Sequence, residues 1–66
     1  MREDRENILL FVLSKIYGGE RLVSMKSNDL KGDHNKISRA LSRMGVKDRI
    51  NVSKDPDRGL LWFKKK

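Results

Sequence analysis

The chain contains no cysteine, and histidine and proline occur once each among its 66 residues. Without cysteine it forms neither a disulfide framework nor a thiolate metal site, and one histidine is too few for the usual structural zinc ligands. We therefore expect no metal and no cofactor. No apolar run approaches the roughly 20 residues that span a bilayer, so we expect no membrane partner.

A chain of 66 residues is also short of material for a catalytic cleft. A domain of this size buries roughly 60% of the surface that its unfolded chain exposes, and a deep cleft would remove much of its core. Gly18 and Gly19 lack the lysine and hydroxyl residue that follow in a nucleotide-binding loop. We expect one domain over residues 1–66, no enzymatic activity and no small-molecule substrate.

The location of the protein is predicted from two features of the sequence. Absence of cysteine is typical of a reducing compartment, and the first six residues are too acidic for the basic start of a secretory signal. We expect a cytoplasmic, nucleoid-associated or nuclear protein that is not secreted.

Positive charge is unevenly distributed along the chain, which has a net charge of +7. Residues 1–20 contain three Lys/Arg and four Asp/Glu, whereas residues 21–66 contain thirteen and five, which gives −1 and +8. Each lysine or arginine placed on a phosphate releases counterions, so a basic half is typical of proteins that bind nucleic acid. A charge that serves only solubility is the other interpretation.

Residues 4–17 are predicted to form the first helix, because their apolar side chains recur on one broad helical face. That face carries Ile8, Leu9, Val12, Leu13 and Ile16. Gly18 and Gly19 follow as residues able to adopt positive φ and end the helix. Leu10, Ser14 and Tyr17 lie on the other side, where we consider two interpretations: a homodimer interface, or the ordinary exposure of single apolar residues.

The middle of the chain predicts a short strand followed by two helices that meet at a tight turn. Residues 21–25 contain a β-branched valine among apolar residues and are too short for an independent helix. Ser27 is expected to cap a short helix over residues 28–31, which Gly32 ends. Asp33 is expected to cap the next helix.

The third predicted helix, residues 34–44, carries the candidate binding surface. Its buried stripe has the spacing i, i+3, i+4 and i+7 and consists of Ile37, Ala40, Leu41 and Met44, after which Gly45 ends the helix. The opposite face consists of Asn35, Ser38, Arg39 and Ser42, flanked by Lys36 and Arg43. None of these residues is acidic, and arginine and asparagine recognise guanine and adenine edges, respectively. A solvated face of a core helix is the alternative interpretation.

From Arg49 onward the pattern becomes extended and predicts a β-hairpin over residues 50–63. Residues 55–59, Asp-Pro-Asp-Arg-Gly, supply turn chemistry between the two strands. Lys54 and Arg58 lie at the turn, where they are candidates for phosphate contacts. Trp62 is expected in the core rather than stacked on a base, as is usual for an aromatic residue in the last strand of a small domain.

This order of helix, strand, helix, helix and hairpin resembles the winged helix-turn-helix family over essentially the whole chain. The resemblance implies an α+β fold of three helices with a C-terminal hairpin wing. It also implies that helix 34–44 enters the DNA major groove, that the second helix braces it, and that the wing, from Lys54 to Arg58, contacts the DNA backbone or minor groove. Ser27 and Asn28, at the start of the second helix, complete the predicted DNA-binding set.

We therefore expect a protein that reads the sequence of double-stranded DNA, a transcriptional regulator, with a homodimer as a separate hypothesis. Two rival functions stay open. The first is an RNA-binding or ribosome-associated module, because the basic charge suits either polymer. The second is a protein-interaction adaptor that uses Leu10, Tyr17 or an exposed Trp62, for which binding insensitive to salt would be typical.

Overall fold

A computed structural model describes residues 2–66, with side-chain surroundings from residue 4 onward. Met1, the first residue of the predicted 1–66 domain, lies outside the described residues. The elements, in chain order, are α1 (Arg2–Tyr17), β1 (Leu22–Lys26), α2 (Ser27–Leu30), α3 (His34–Arg43), a 3-10 turn (Lys47–Arg49), β2 (Ile50–Asp55) and β3 (Leu60–Lys65). The described chain is thus an α+β fold, and the predicted order of its helices and strands is confirmed.

Several element ends differ by one or two residues from the predictions. Helix α1 begins two residues earlier than predicted, β1 lies one residue later, and α3 ends at Arg43 with Met44 as its C-cap. Strand β3 continues to Lys65. Lys64 pairs with Leu22 on one side and with Asn51 on the other, and Lys65 pairs with Ile50. Hydrogen bonds to the neighbouring strands therefore extend β3 past its apolar residues. The alternation of apolar and polar residues along β3 itself does not predict this extension.

The three strands form an antiparallel sheet in the order β1-β3-β2. Phe63 in the central strand pairs with Val23 on one side and Val52 on the other. Because side chains alternate between the faces of a sheet, Leu61 and Phe63 point to the buried face and Trp62 points to the opposite one. The prediction that Trp62 belongs to the core is therefore wrong.

One hydrophobic core joins the helices to the sheet. Among the described residues, its buried members are Leu9, Val12, Leu13, Ile16, Val23, Leu30, Ile37, Ala40, Leu41, Ile50, Leu61 and Phe63. The predicted buried stripe of α1 is confirmed, except that Ile8 at its margin is only partly buried. Burial of each large side chain stabilises the fold by about 1.5–3 kcal/mol, so α3 is attached mainly through Ile37 and Leu41.

Helix α2 is a single turn whose C-terminal end is closed by α1. Lys31 adopts the left-handed conformation, with φ 57°. The Arg5 guanidinium donates from Nη2 to the Lys31 carbonyl at 2.7 Å and from Nε to the Leu30 carbonyl at 3.4 Å. A cation at the C-terminal end of a helix satisfies carbonyl groups that have no partner within the helix.

Gly32 allows this close approach between α1 and the start of α3. A Cβ at Gly32 would lie 3.1 Å from Arg5 Nε and 3.1 Å from Lys36 Cβ, tighter than ordinary van der Waals contact. The predicted end of α2 is thus displaced by one residue: Lys31 takes the positive φ, and Gly32 provides the space.

Among residues 2–66, none of the helices combines the length and the apolar character that crossing a membrane requires.

The substitution Arg5→Ala should lower the free energy of unfolding by about 1 kcal/mol, because it removes the side-chain donors at the end of α2. Urea denaturation followed by circular dichroism measures the change. As a matched control, Arg39→Ala changes an exposed arginine and should alter stability by less than about 0.5 kcal/mol. Equal losses in the two variants would show that Arg5 does not cap α2.

Candidate nucleic-acid interface

The start of α3 is fixed by Asp33, as predicted. Asp33 Oδ1 accepts a hydrogen bond from the Lys36 backbone N–H at 2.9 Å, and the Asp33 carbonyl accepts from the Ile37 N–H at 3.0 Å. The Lys36 N–H lowers the pKa of the Asp33 carboxyl, with a smaller contribution in the same direction from the Lys36 charge. The cap therefore sets the residue at which the helix begins, and with it the direction of each side chain that follows.

The inner face of α3 fixes the rotation of the helix about its axis. Ile37, Ala40 and Leu41 are all 0% exposed. Half a turn away, Asn35, Arg39 and Ser42 are exposed. Within α3 no side chain is acidic. The exposed strip thus offers a guanidinium, an amide and a hydroxyl, which are groups that hydrogen bond to base edges and phosphates.

One margin of this strip faces the sheet. His34 Nε2 donates to the Val52 carbonyl at 3.1 Å, which ties the first turn of α3 to β2. Ser38, one turn further along the same margin, is partly buried. Its hydroxyl oxygen is covered and has no hydrogen-bond partner within the described part of the chain. Ser38 therefore lies at the border of the exposed strip and not at its centre.

The other margin faces α1 and carries Lys36 and Arg43, both exposed. Arg43 Nε lies 3.5 Å from Glu6 Oε1. A surface pair of this kind contributes little to stability. It does, however, offset the charge of Arg43, whereas the structure shows no such ion pair for Lys36 among the described residues. Both predicted flanking cations are thus exposed and each has an acidic neighbour, Glu6 for Arg43 and Asp33 for Lys36, whose charge helps to lower the pKa of that carboxyl.

The start of α2 contacts the hairpin turn. Ser27 donates to the Gly59 carbonyl from both its hydroxyl and its backbone N–H, each at 3.0 Å. Ser27 lies inside α2, and Lys26 takes the N-cap position without a side-chain hydrogen bond, so the predicted cap at Ser27 is wrong. The hydroxyl instead joins the first turn of α2 to residues 56–59. Asn28, the next residue, is exposed.

The hairpin extends only a short way beyond the rest of the sheet. Strand β1 pairs with β3 from Leu60 to Lys64, so only the turn projects past it. Arg58 in that turn is 71% exposed, with Nε 3.8 Å from Asp55 Oδ2. Lys54 is exposed and lies on the helix-bearing face of the sheet, in register with Leu61. The two predicted hairpin cations are thus both accessible, but they lie on different parts of the hairpin.

Helix α1 presents a separate apolar face on its outer side. Leu10 and Tyr17 are 55% and 48% exposed, and Ser14 lies between them, also exposed. Phe11, which sequence periodicity did not single out, is 48% exposed, with Lys15 Nζ 4.9 Å from its ring centre. The predicted dimer residues therefore share one face. We define Leu10, Phe11, Ser14 and Tyr17 as the α1 face.

Three residues that position α3 or its neighbours carried no recognisable signal in the sequence: Arg5, Glu6 and His34. Each acts through a partner far away along the chain, and no spacing rule links such residues. Among residues 2–66, no group of three or more His, Cys, Asp or Glu side chains is placed to hold a metal ion.

Comparison of the chain with protein-family models, with curated proteins and with solved structures found no match.

Acid should destabilise the protein partly through Asp33. Its folded-state pKa is lowered, so the stabilisation is present above the unfolded-state value and is lost as the pH falls through the folded-state pKa. The variant Asp33→Asn keeps a capping side chain that does not titrate. Urea denaturation at neutral pH and near pH 3 should therefore show a smaller acid-induced loss in the variant. An equal loss would contradict the role of the charged cap.

Proposed function

We propose that this protein is a winged helix-turn-helix protein that binds double-stranded DNA and acts as a transcriptional regulator. Two features of the fold support the proposal. The elements occur in the order helix, strand, helix, helix and hairpin, and the sheet order β1-β3-β2 places the hairpin strands β2 and β3 side by side. In this proposal α3 enters the major groove and the hairpin, residues 50–63, is the wing.

The observation that carries the proposal is the exposed, acid-free strip of α3. A helix enters a major groove only if its outer side chains are small or able to hydrogen bond, and Asn35, Arg39 and Ser42 meet that condition. The strip is also held rigidly, because the opposite face of α3 is fully buried. A rigid helix keeps donors and acceptors in register with base edges, which specific recognition requires.

Charge supports a polyanionic partner. Four of the acids in the described chain are already engaged, since Asp33 caps α3, Glu6 pairs with Arg43, Asp55 contacts Arg58, and Asp4 lies 3.9 Å from Lys31. The basic side chains Lys36, Arg39 and Lys54 remain exposed. In this account Arg39 and Asn35 read bases, while Lys36, Lys54 and Arg58 contact phosphates.

The two classes of contact predict different losses on mutation. Once a preferred duplex has been selected, Arg39→Ala should weaken binding to it by about 1–3 kcal/mol and affect random duplex less. Lys54→Ala should weaken binding to both duplexes similarly and reduce the slope of log K against log salt by about one. Fluorescence anisotropy over a salt series measures both effects.

Equal losses on selected and random duplex for both variants would contradict the division between base and phosphate contacts. Competition with structured RNA provides the second comparison. Stronger competition by RNA than by duplex DNA would replace the DNA assignment with the RNA-binding alternative. Binding that does not change with salt would favour a protein-interaction function.

We also propose that the protein forms a homodimer through the α1 face. Exposed large apolar side chains on one helical face are unusual in a small, highly charged chain, and Leu10, Phe11 and Tyr17 are each close to half exposed or more. A symmetric dimer would pair the α1 face with itself and present two copies of α3 to two DNA half-sites.

Sedimentation equilibrium should show a dimer for the natural chain and a monomer for Leu10→Ser, because the substitution removes apolar area from the centre of the α1 face. Leu22→Ser is the matched control, since Leu22 is 54% exposed but lies on β1. A natural chain that stays monomeric at high concentration would exclude this dimer without affecting the DNA-binding proposal.

A further inference from the structure

The sheet has a face that the helices do not cover. Residues alternate along each strand, so the side chains opposite to Val23, Leu61 and Phe63 lie on that face. Trp62 lies at its centre, because it belongs to the middle strand and pairs with Ser24 on one side and Ser53 on the other. We call this surface the open face.

The neighbours of Trp62 leave its ring accessible. Ser24 and Ser53 are both exposed and both small, and Trp62 itself is partly exposed. The indole Nε1 donates to Asp55 Oδ2 at 3.4 Å. Arg58 Nε lies 3.8 Å from the same oxygen and offsets its charge. One hydrogen bond thus orients the ring, and its direct partners on both neighbouring strands are small serines.

The rest of the open face carries two lysines, polar side chains and two leucines, Leu60 and the 54% exposed Leu22. Lys64 follows Trp62 on the same face of β3 and pairs with Leu22 and Asn51. Lys26 lies on the same face of β1, opposite Leu60. Both lysines are exposed. Within the described strands, Asp55 is the one acid on this face, and it already contacts Trp62 and Arg58.

We propose that the open face binds single-stranded nucleic acid, with a base stacked on Trp62 and phosphates near Lys64 and Lys26. An aromatic ring with basic residues around it is the arrangement that recognises a single strand, because every base has a stacking surface and every phosphate a charge. A protein partner that packed on Leu22 and Leu60 would leave Lys26 and Lys64 without an anionic partner, so a single strand, which supplies both bases and phosphates, is the better match. This site is separate from the α3 strip, and its existence does not depend on duplex binding.

Trp62 is the one tryptophan of the chain, so its fluorescence reports directly on the open face. Titration with a short oligothymidine should quench the fluorescence to saturation, and added salt should weaken the binding. In parallel, anisotropy of a labelled oligothymidine should show a loss of about tenfold for Trp62→Leu, with a smaller loss for Trp62→Phe.

Two further variants keep the test decisive if Trp62→Leu does not fold. Lys64→Glu reverses an exposed charge next to Trp62, retains the fluorescent ring, and should weaken oligothymidine binding several-fold. Arg39→Ala should leave oligothymidine binding unchanged while it weakens binding to the selected duplex.

Absence of quenching at low salt would overturn the proposal, as would oligothymidine binding that is unaffected by Lys64→Glu. Equal losses of single-strand and duplex binding in Arg39→Ala would place both ligands on α3 and would also overturn it. If the natural chain bound no duplex DNA but its fluorescence were still quenched by oligothymidine, the result would support the open-face site and would reject only the α3 proposal.

Discussion

The arrangement of the whole molecule depends on the burial of one face of α3. Ile37, Ala40 and Leu41 are completely covered, and the same core receives Leu9 and Val12 from α1 and Phe63 from the central strand. A chain of 66 residues has one core of this kind, so a change in the rotation of α3 would expose apolar area that no other element replaces. The burial that stabilises the fold therefore also determines which side chains of α3 reach solvent. The Asp33 cap and the hydrogen bond from His34 to β2 fix the residue at which α3 begins.

Acidic and basic residues have different tasks in this structure. Three acids have structural contacts: Asp33 caps α3, Glu6 lies beside Arg43 of α3, and Asp55 accepts a hydrogen bond from Trp62 within the hairpin. Arg5 is the main base with a structural role, at the end of α2. Most lysines and arginines of residues 21–66 lie exposed at the surface. The acids remain at the surface and keep their charge, so attraction of a polyanion depends on the excess of bases, +8 over residues 21–66.

Sequence patterns predicted those parts of the fold that depend on local periodicity. The apolar stripes of α1 and α3 follow from spacings of three and four residues, and Asp33 follows from cap chemistry. The sequence alone predicts the wrong face for Trp62, because residues 60–63 are all apolar and alternation within them does not show which side is buried. Pairing of Phe63 with Val23 and Val52 decides it, and those partners lie on other strands. Ser27 and Arg5 illustrate the same limit, since each bonds to a residue at least 25 positions away.

Within the candidate interface, the residues of the exposed strip were predictable from the helical period, whereas the pairing of Arg43 with Glu6 and the covered hydroxyl of Ser38 depend on tertiary packing.

The most direct test of the account is a map of amide chemical-shift changes when a short duplex DNA is added to isotopically labelled protein. We predict that the largest changes lie at Asn35, Arg39 and Ser42, with smaller ones at Lys54 and Arg58. Such a result would place the duplex on the exposed strip of α3 and beside the hairpin. Largest changes on α1, with α3 unaffected, would contradict the central claim that α3 is the DNA-binding helix.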